Sequence, residues 1–297
     1  MGKPDQASGY KEEVTKNCER VLVTLLRGLG PWRDSIYLVG GLTPRYLIND
    51  ESPGVPPHAG SIDVDIVVEL EMLADIQAYS SLEENLKKLN FKHFKNSNGE
   101  NVLWKWQMKT ESGMTIILDL LTENSGLRGG KARLLPIEGN ISALNIPHSS
   151  MVFDHHEVKN ITAELLGGDG IVTETVRCAD IVSFTCLKSY ALVGRQERKD
   201  KYDLVYCLEH FEGGLEAVVA AFQSALEGKH REAIKSALKI LEERFADDKT
   251  TEGYKKDGPV AVAKFDLGED VEAREERILR QRKVADLIMR LLKEIKA

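Results

Sequence analysis

Two aspartates, Asp63 and Asp65, interrupt an otherwise apolar, strand-like run, Gly60-Ser61-Ile62-Asp63-Val64-Asp65-Ile66-Val67-Val68-Glu69-Leu70. Successive strand residues point to opposite faces, so both carboxylates project from one face while Ile62, Val64 and Ile66 line the other. The rise of a strand sets the two acids roughly 6 to 7 Å apart. At an effective dielectric near 20, unit charges at that distance repel by about 2.5 kcal/mol. A cost of that size is a large fraction of a domain's net stability, so a compensating cation is expected. A third acid, Asp119, lies in Thr115-Ile116-Ile117-Leu118-Asp119-Leu120-Leu121, the same apolar-then-acidic context. Three carboxylates on adjacent strands make a hard oxygen cage suited to Mg²⁺ or Mn²⁺, with water and substrate phosphates as further ligands. Such a cage serves phosphoryl or nucleotidyl transfer, in which metal ions clamp the attacking and leaving oxygens. A single aspartate would more often end a strand in solvent or pair with Lys or Arg; the second and third acids favour the metal-binding reading.

Upstream, Leu38-Val39-Gly40-Gly41-Leu42-Thr43 ends a strand in two glycines and opens a helix at Thr43. Paired glycines let backbone amides approach phosphate oxygens, and a helix N-terminus favours anions. A Gly-Gly pair is ordinarily a turn; one strand before the paired aspartates it is also a candidate phosphate cradle.

The elements that must position these residues follow from periodicity. Apolar residues from Tyr10 to Leu29 recur at helical spacing and stop at Gly-Leu-Gly-Pro. A short strand at 35–41, a short helix at 43–48 and a Pro- and Gly-rich loop at 49–60 lead into the acidic strand. A polar helical stretch to Leu89 is followed by expected strands at 91–95, 102–109 and 114–121, then shorter ones at 133–137, 151–153, 157–161 and 170–176. Arg128, Lys131 and Arg133 fall in a Gly-containing loop, and Leu165-Leu166-Gly167-Gly168-Asp169-Gly170 reads as a hairpin turn. From Ala179 the pattern is helical: 179–193, 198–209, 215–226, 231–245 and 271–295, with 246–259 an exposed loop. The fold class expected is α+β, a mixed sheet with flanking helices over residues 1–177 and a helical lobe over 178–297.

Composition narrows the setting. The chain has 297 residues, 42% of them hydrophobic, and a formal charge of −7, which argues against an extensive nucleic-acid coat. Its cysteines, Cys18, Cys178, Cys186 and Cys207, form no CxxC pair, and no apolar run is long enough to span a bilayer. A reduced, cytoplasmic protein with no membrane partner is expected.

In this order the residues resemble a family, the nucleotidyltransferases of the DNA polymerase beta superfamily, especially the AbiEii-type abortive-infection and toxin-antitoxin group. The matching pieces are Gly40-Gly41, His58, Ser61-Ile62-Asp63-Val64-Asp65, Asp119, Lys188, Lys199-Asp200 and Tyr202-Asp203. They span roughly Ile36 to His210, and the stretch from Val176 to His210 is the more specific half. The resemblance implies transfer of a nucleoside monophosphate from an NTP to an RNA (tRNA-like) or protein hydroxyl, and a cognate antitoxin. It implies metal binding by Asp63, Asp65 and Asp119, with Asp119 nearest the acceptor hydroxyl. Phosphate contacts would come from Gly40, Gly41, Thr43 and Ser61, and Lys188 would add positive charge as pyrophosphate leaves. Asp200 would orient Lys188 or the nucleotide, and the helical lobe would complete the nucleotide site. Family loops often carry Arg or Lys directly after the His, where this chain has Ala59; Arg45 is the alternative source of that charge.

Two other readings stand beside it. A catalytically silent module of the same fold would bind nucleotide, RNA or a partner protein. The Asp154-His155-His156 run occurs also in DHH phosphoesterases, but their Gly-Gly-Gly-His element is absent here. Trp104 and Trp106 read as sheet packing before base stacking.

Overall fold

The computed structural model describes residues 3–49, 51–69, 76–123, 132–134 and 142–296. They divide into two compact units that interleave along the chain. A sheet unit comprises 11–43 and 60–180, and a helical unit comprises 1–10, 44–59 and 181–297. The class is α+β, as the periodicities indicate.

In the sheet unit, α1 (Glu12–Leu29) buries Cys18, Val21, Leu22, Leu25, Leu26 and Leu29, the stripe its spacing predicts. Strands β1 (Ile36–Val39), β2 (Asp63–Val68), β3 (Lys92–Lys95), β4 (Asn101–Lys109) and β5 (Thr115–Thr122) follow, with α3 (Ile76–Lys88) between β2 and β3. After β5 come β6 (Ala132–Leu134), β7 (Ser142–Asn145), β8 (His156–Glu164) and β9 (Ile171–Ala179). The sheet runs β3-β4-β5-β2-β1-β9-β8, with β7 pairing β5 and β6 pairing β7. It is mixed: β2 and β5 pair in parallel, as do β1 and β9, whereas β4 and β5 pair antiparallel. One face carries Val64, Ile66, Trp106, Ile116, Leu118 and Leu120, each almost fully buried. Burial of aliphatic and aromatic side chains on this scale, at roughly 2 to 3 kcal/mol each, anchors the strands that hold the acids.

Three local expectations need correction. Residues 151–153 lie in a 3-10 turn, Ser149–Phe153, instead of a strand. The neighbouring strand β7 is missing from the periodicity reading; its residues, Ser142-Ala143-Leu144-Asn145, do not alternate between polar and apolar. The third concerns 246–259, which does not remain a loop to its end. The helical unit consists of α2 (Pro44–Leu47), α4 (Ile181–Gly194), α5 (Arg198–His210), α6 (Gly214–Ala225), α7 (Arg231–Phe245), α8 (Asp257–Leu267) and α9 (Arg274–Lys296). The additional helix α8 starts at Asp257-Gly258-Pro259, inside the stretch expected as loop. Proline is tolerated in a first helical turn, and a Cβ on Gly258 would sit 2.6 Å from the Phe245 ring. The glycine is therefore there for close packing.

The turn at 165–170 joins β8 to β9, closed by a Leu165 N–H to Gly170 carbonyl bond of 2.8 Å. Trp106 is fully buried against the His93 ring, in keeping with sheet packing. His155 lies 3.5 Å from Asp180, and the His156 ring is 3.1 Å from the Val152 carbonyl. The loop with Arg128 and Lys131 lies outside the described residues, and of Arg133 only the strand position in β6 is described.

Candidate functional site

The acidic face of the sheet unit is built by strand register. In the parallel β2–β5 pair Asp65 stands opposite Asp119, and Asp63 lies two residues before Asp65 on β2. In the antiparallel β4–β5 pair Lys105 stands opposite Asp119. Residues in register share a face, so Asp63, Asp65, Asp119 and Lys105 lie together, opposite the buried face of Val64, Leu118 and Trp106. The structure thus brings the three predicted acids onto one surface and adds a cation to them. The Lys105 ammonium is 3.0 Å from Asp119 Oδ2.

Two other predicted residues support the acids directly. Gly40 has φ +75°, and a Cβ there would fall 2.0 Å from Asp65 Oδ2. Only glycine allows the chain to pass this close to the carboxylate. The Ser61 hydroxyl lies 3.0 Å from the Asp63 carbonyl and 3.1 Å from Asp63 Oδ1. The Ser61 N–H donates to Thr15 Oγ1 of α1 at 3.0 Å. Ser61 therefore ties Asp63 to the helix behind the sheet. Gly41 and Thr43 are buried in and just after the turn Gly40–Leu42, and the Thr43 hydroxyl has no hydrogen-bond partner among the described residues.

The donor chemistry fits a hard divalent cation: three carboxylates on adjacent strands of one face. Among the described residues, however, no three His, Cys, Asp or Glu side chains are drawn together into a closed cage. The Lys105 pair on Asp119 and the Ser61 bond on Asp63 are the contacts such a cage would have to accommodate.

Lys188 and Asp200 belong to the helical unit, where they form part of a buried ionic cluster. Lys188 Nζ on α4 donates to Asp200 Oδ1 at 2.8 Å and to Asp203 Oδ2 at 2.7 Å, both on α5. Lys199 Nζ bonds both Asp203 oxygens, at 2.7 and 2.9 Å, and Arg195 Nε lies 2.6 Å from Asp200 Oδ2. His58 Nε2 reaches Asp203 Oδ1 at 2.9 Å. Burial pushes the Asp203 carboxyl up, but Lys188, Lys199 and the His58 hydrogen bond reverse this, and the net shift is well down. Asp200 is likewise lowered, its burial outweighed by Lys188 and Arg195. Burial pulls Lys188 down, yet its two carboxylates leave it above the ordinary lysine value, and so charged. Burial lowers His58 and outweighs the Asp203 hydrogen bond, which favours the neutral ring.

The same stretch of α5 fastens the segment that precedes Gly60. The Tyr202 hydroxyl accepts the Ala59 N–H at 3.2 Å, and the Tyr206 hydroxyl donates to the Pro56 carbonyl at 2.8 Å. Around His58 the rings of Tyr202 and Tyr206 lie 5.5 and 4.9 Å away, centroid to centroid. Arg45 lies on α2 of this unit.

A mixed sheet with an acidic face, and helices carrying buried Lys–Asp pairs, is the class of arrangement that the nucleotidyltransferase resemblance implies. Residues 129–261 match the family model described as Nucleotidyl transferase AbiEii toxin, Type IV TA system. The resemblance read from the motifs is thus borne out over this stretch. It contains Lys188, Lys199, Asp200 and Asp203, whereas Asp63, Asp65 and Asp119 lie before it. No curated protein and no solved structure matches the chain. Among the described residues, no helix is long and apolar enough to cross a membrane.

Lys105 is the residue that motif reading misses. Its signal is present in Leu103-Trp104-Lys105-Trp106-Gln107, where a lysine alternates with tryptophans, but its partner appears only once the β4–β5 register is known. Asp203, part of the matched Tyr202-Asp203 pair, is better connected than Asp200.

Proposed function

We propose that the protein is a metal-dependent nucleotidyltransferase that moves a nucleoside monophosphate from an NTP to a hydroxyl of an RNA, tRNA-like in kind, or of a protein. It acts as the toxin of a toxin-antitoxin or abortive-infection phage-defence system in the cytoplasm, with a cognate antitoxin as partner. The observation that carries this reading is the single sheet face shared by Asp63, Asp65 and Asp119. The AbiEii match supports the toxin assignment.

In this reading Asp63, Asp65 and Asp119 hold Mg²⁺ or Mn²⁺, which supplies charge neutralisation for the triphosphate and the departing pyrophosphate. Asp119 takes the acceptor hydroxyl's proton as that oxygen bonds the α-phosphorus. The bond from the α-phosphorus to the bridging oxygen breaks, and pyrophosphate leaves with the electron pair. Gly40 and Gly41 offer backbone amides to the β and γ phosphates, and Thr43 supports that turn. Ser61 orients Asp63 through its hydroxyl. Lys188 contributes positive charge toward phosphate, its amine oriented by Asp200 and Asp203.

A silent nucleotide-, RNA- or protein-binding module is the second reading. It draws on the pairing of Asp119 with Lys105 and of Lys188 with two carboxylates, and on Ala59. Incubation with each labelled NTP, Mg²⁺ and total RNA or protein separates the two. The transferase labels an acceptor, mass spectrometry identifies nucleotide and acceptor together, and the Asp63→Ala, Asp65→Ala variant labels none. Equal labelling by that variant excludes the mechanism, and no labelling of any acceptor pool favours the silent module.

A further inference from the structure

We propose that Lys105 is an internal counter-cation that competes with divalent metal for Asp119. The inference rests on the metal-binding reading of the acidic face and goes beyond it by naming a residue that tunes cation occupancy there. The register sets Lys105 directly across from Asp119, and its ammonium lies 3.0 Å from Oδ2. The pair is partly enclosed, with the lysine side chain 29% and the aspartate side chain 15% exposed. Lys105 also stands over the Phe94 ring of β3, 5.8 Å from its centroid, which confines the side chain to this side of the sheet. A lysine on a solvated strand face would spread its charge into water; this one is held on the third carboxylate of the set.

The physical consequence is a competition. A divalent ion that uses Asp119 must share or displace an ammonium already bonded to the carboxylate, and the ammonium adds like-charge repulsion to any cation nearby. The acidic face therefore binds metal more weakly than three carboxylates would alone. An ammonium released from Asp119 is then available to anionic groups of substrate.

The test is Mn²⁺ binding to the full-length protein, followed by electron paramagnetic resonance of the free ion, with no turnover required. Removing the competing charge while keeping side-chain length, in Lys105→Met, tightens Mn²⁺ binding about two- to fivefold, the equivalent of a partly exposed ion pair. Lys105→Arg, which retains the charge, binds as the parent does. The gain disappears in Lys105→Met combined with Asp119→Asn, because the two residues act through each other. Lys105→Gln serves the same purpose if the methionine variant loses its circular dichroism spectrum. Unchanged or weaker Mn²⁺ binding by both charge-removing variants overturns the proposal. If binding by the parent is nevertheless lost in the Asp63→Ala, Asp65→Ala variant, the metal-binding reading survives that failure. No Mn²⁺ binding by the parent or by either charge-removing variant overturns both.

Discussion

Replacing Asp203 by Asn tests whether the buried cluster of the helical unit holds together through one carboxylate. Asp203 is 1% exposed and receives Lys188 at 2.7 Å, Lys199 at 2.7 and 2.9 Å and His58 at 2.9 Å. Asparagine keeps the volume but offers one acceptor oxygen where there were two, and turns an N–H₂ donor toward lysine donors. Lys188 retains Asp200, whereas Lys199 loses its two bonds to the Asp203 carboxylate. Removing one partner of a buried ion pair costs about 3 to 5 kcal/mol, because the remaining charge stays desolvated. For a unit of this size that lowers the melting temperature by roughly 6 to 20 °C. Removing the Lys199 charge as well, in Asp203→Asn with Lys199→Met, restores part of the loss, with a coupling of about 1 to 3 kcal/mol. Urea unfolding followed by far-ultraviolet circular dichroism measures each variant. A change within about 0.5 kcal/mol for Asp203→Asn, the range of ordinary surface substitutions, refutes the reasoning. The pH dependence has a definite sign. The folded-state carboxyl is lowered, so its contribution is complete above the usual aspartate value of about 3.9 and is lost as pH falls below it. The stability gap between parent and variant is therefore constant near neutrality and narrows only in strong acid.

Gly40→Ala destabilises the sheet unit by about 2 to 3 kcal/mol in thermal unfolding, since it combines left-handed strain with a clash on Asp65. Gly30→Ala, also at positive φ but with nothing within 4 Å of the new Cβ, costs about 1 kcal/mol. His58→Gln keeps a hydrogen bond to Asp203 while removing a titrating group. Because burial lowers His58 in the folded state, its contribution is complete above the usual value near 6.5 and declines as pH falls below it, so the parent loses stability there and the variant does not. The four cysteines are buried thiols outside any disulfide, with burial pushing Cys178 up to about 12 and Cys207 well above the ordinary thiol range. Native protein therefore leaves all four unreacted with a thiol reagent on the timescale in which urea-unfolded protein is labelled completely.

The part of the acidic face visible in sequence is the part governed by a local period. Alternation alone puts Asp63 and Asp65 on one side of β2, and the Gly-Gly turn is a local signal as well. What places Asp119 beside Asp65, and Lys105 beside Asp119, is pairing between strands, and pairing is a non-local property that apolar patterning restricts only to the correct face. The helical cluster divides in the same way. Lys199 and Asp203 are one helical turn apart, so their meeting on α5 is foreseeable from i to i+4 spacing. Lys188 is contributed by another helix, and His58 by a Pro-rich segment whose composition reads as loop. The interleaving of the two units is equally hidden, because 44–59 reads as a short helix and a Pro-rich loop, and nothing local shows that 56–59 joins the helices through Tyr202, Asp203 and Tyr206. The end of 246–259, expected as loop, is misleading for a related reason: Gly258 and Pro259 carry no helical period in sequence but serve the packing and first turn of α8 in the fold.

The two charged clusters differ in what their burial allows. On the sheet face Lys105 pairs with Asp119 across the β4–β5 register, and Asp65 stands in register with Asp119 from β2. Among the helices Lys188 and Lys199 share the buried Asp203, and Lys188 and Arg195 share Asp200. Removing one partner of the buried cluster leaves a desolvated charge, whereas the partly exposed acids of the sheet can exchange one cation for another. Metal held by Asp63, Asp65 and Asp119, as proposed, therefore raises the melting temperature of the parent protein more than that of Asp63→Ala, Asp65→Ala, which lacks two of the three carboxylates.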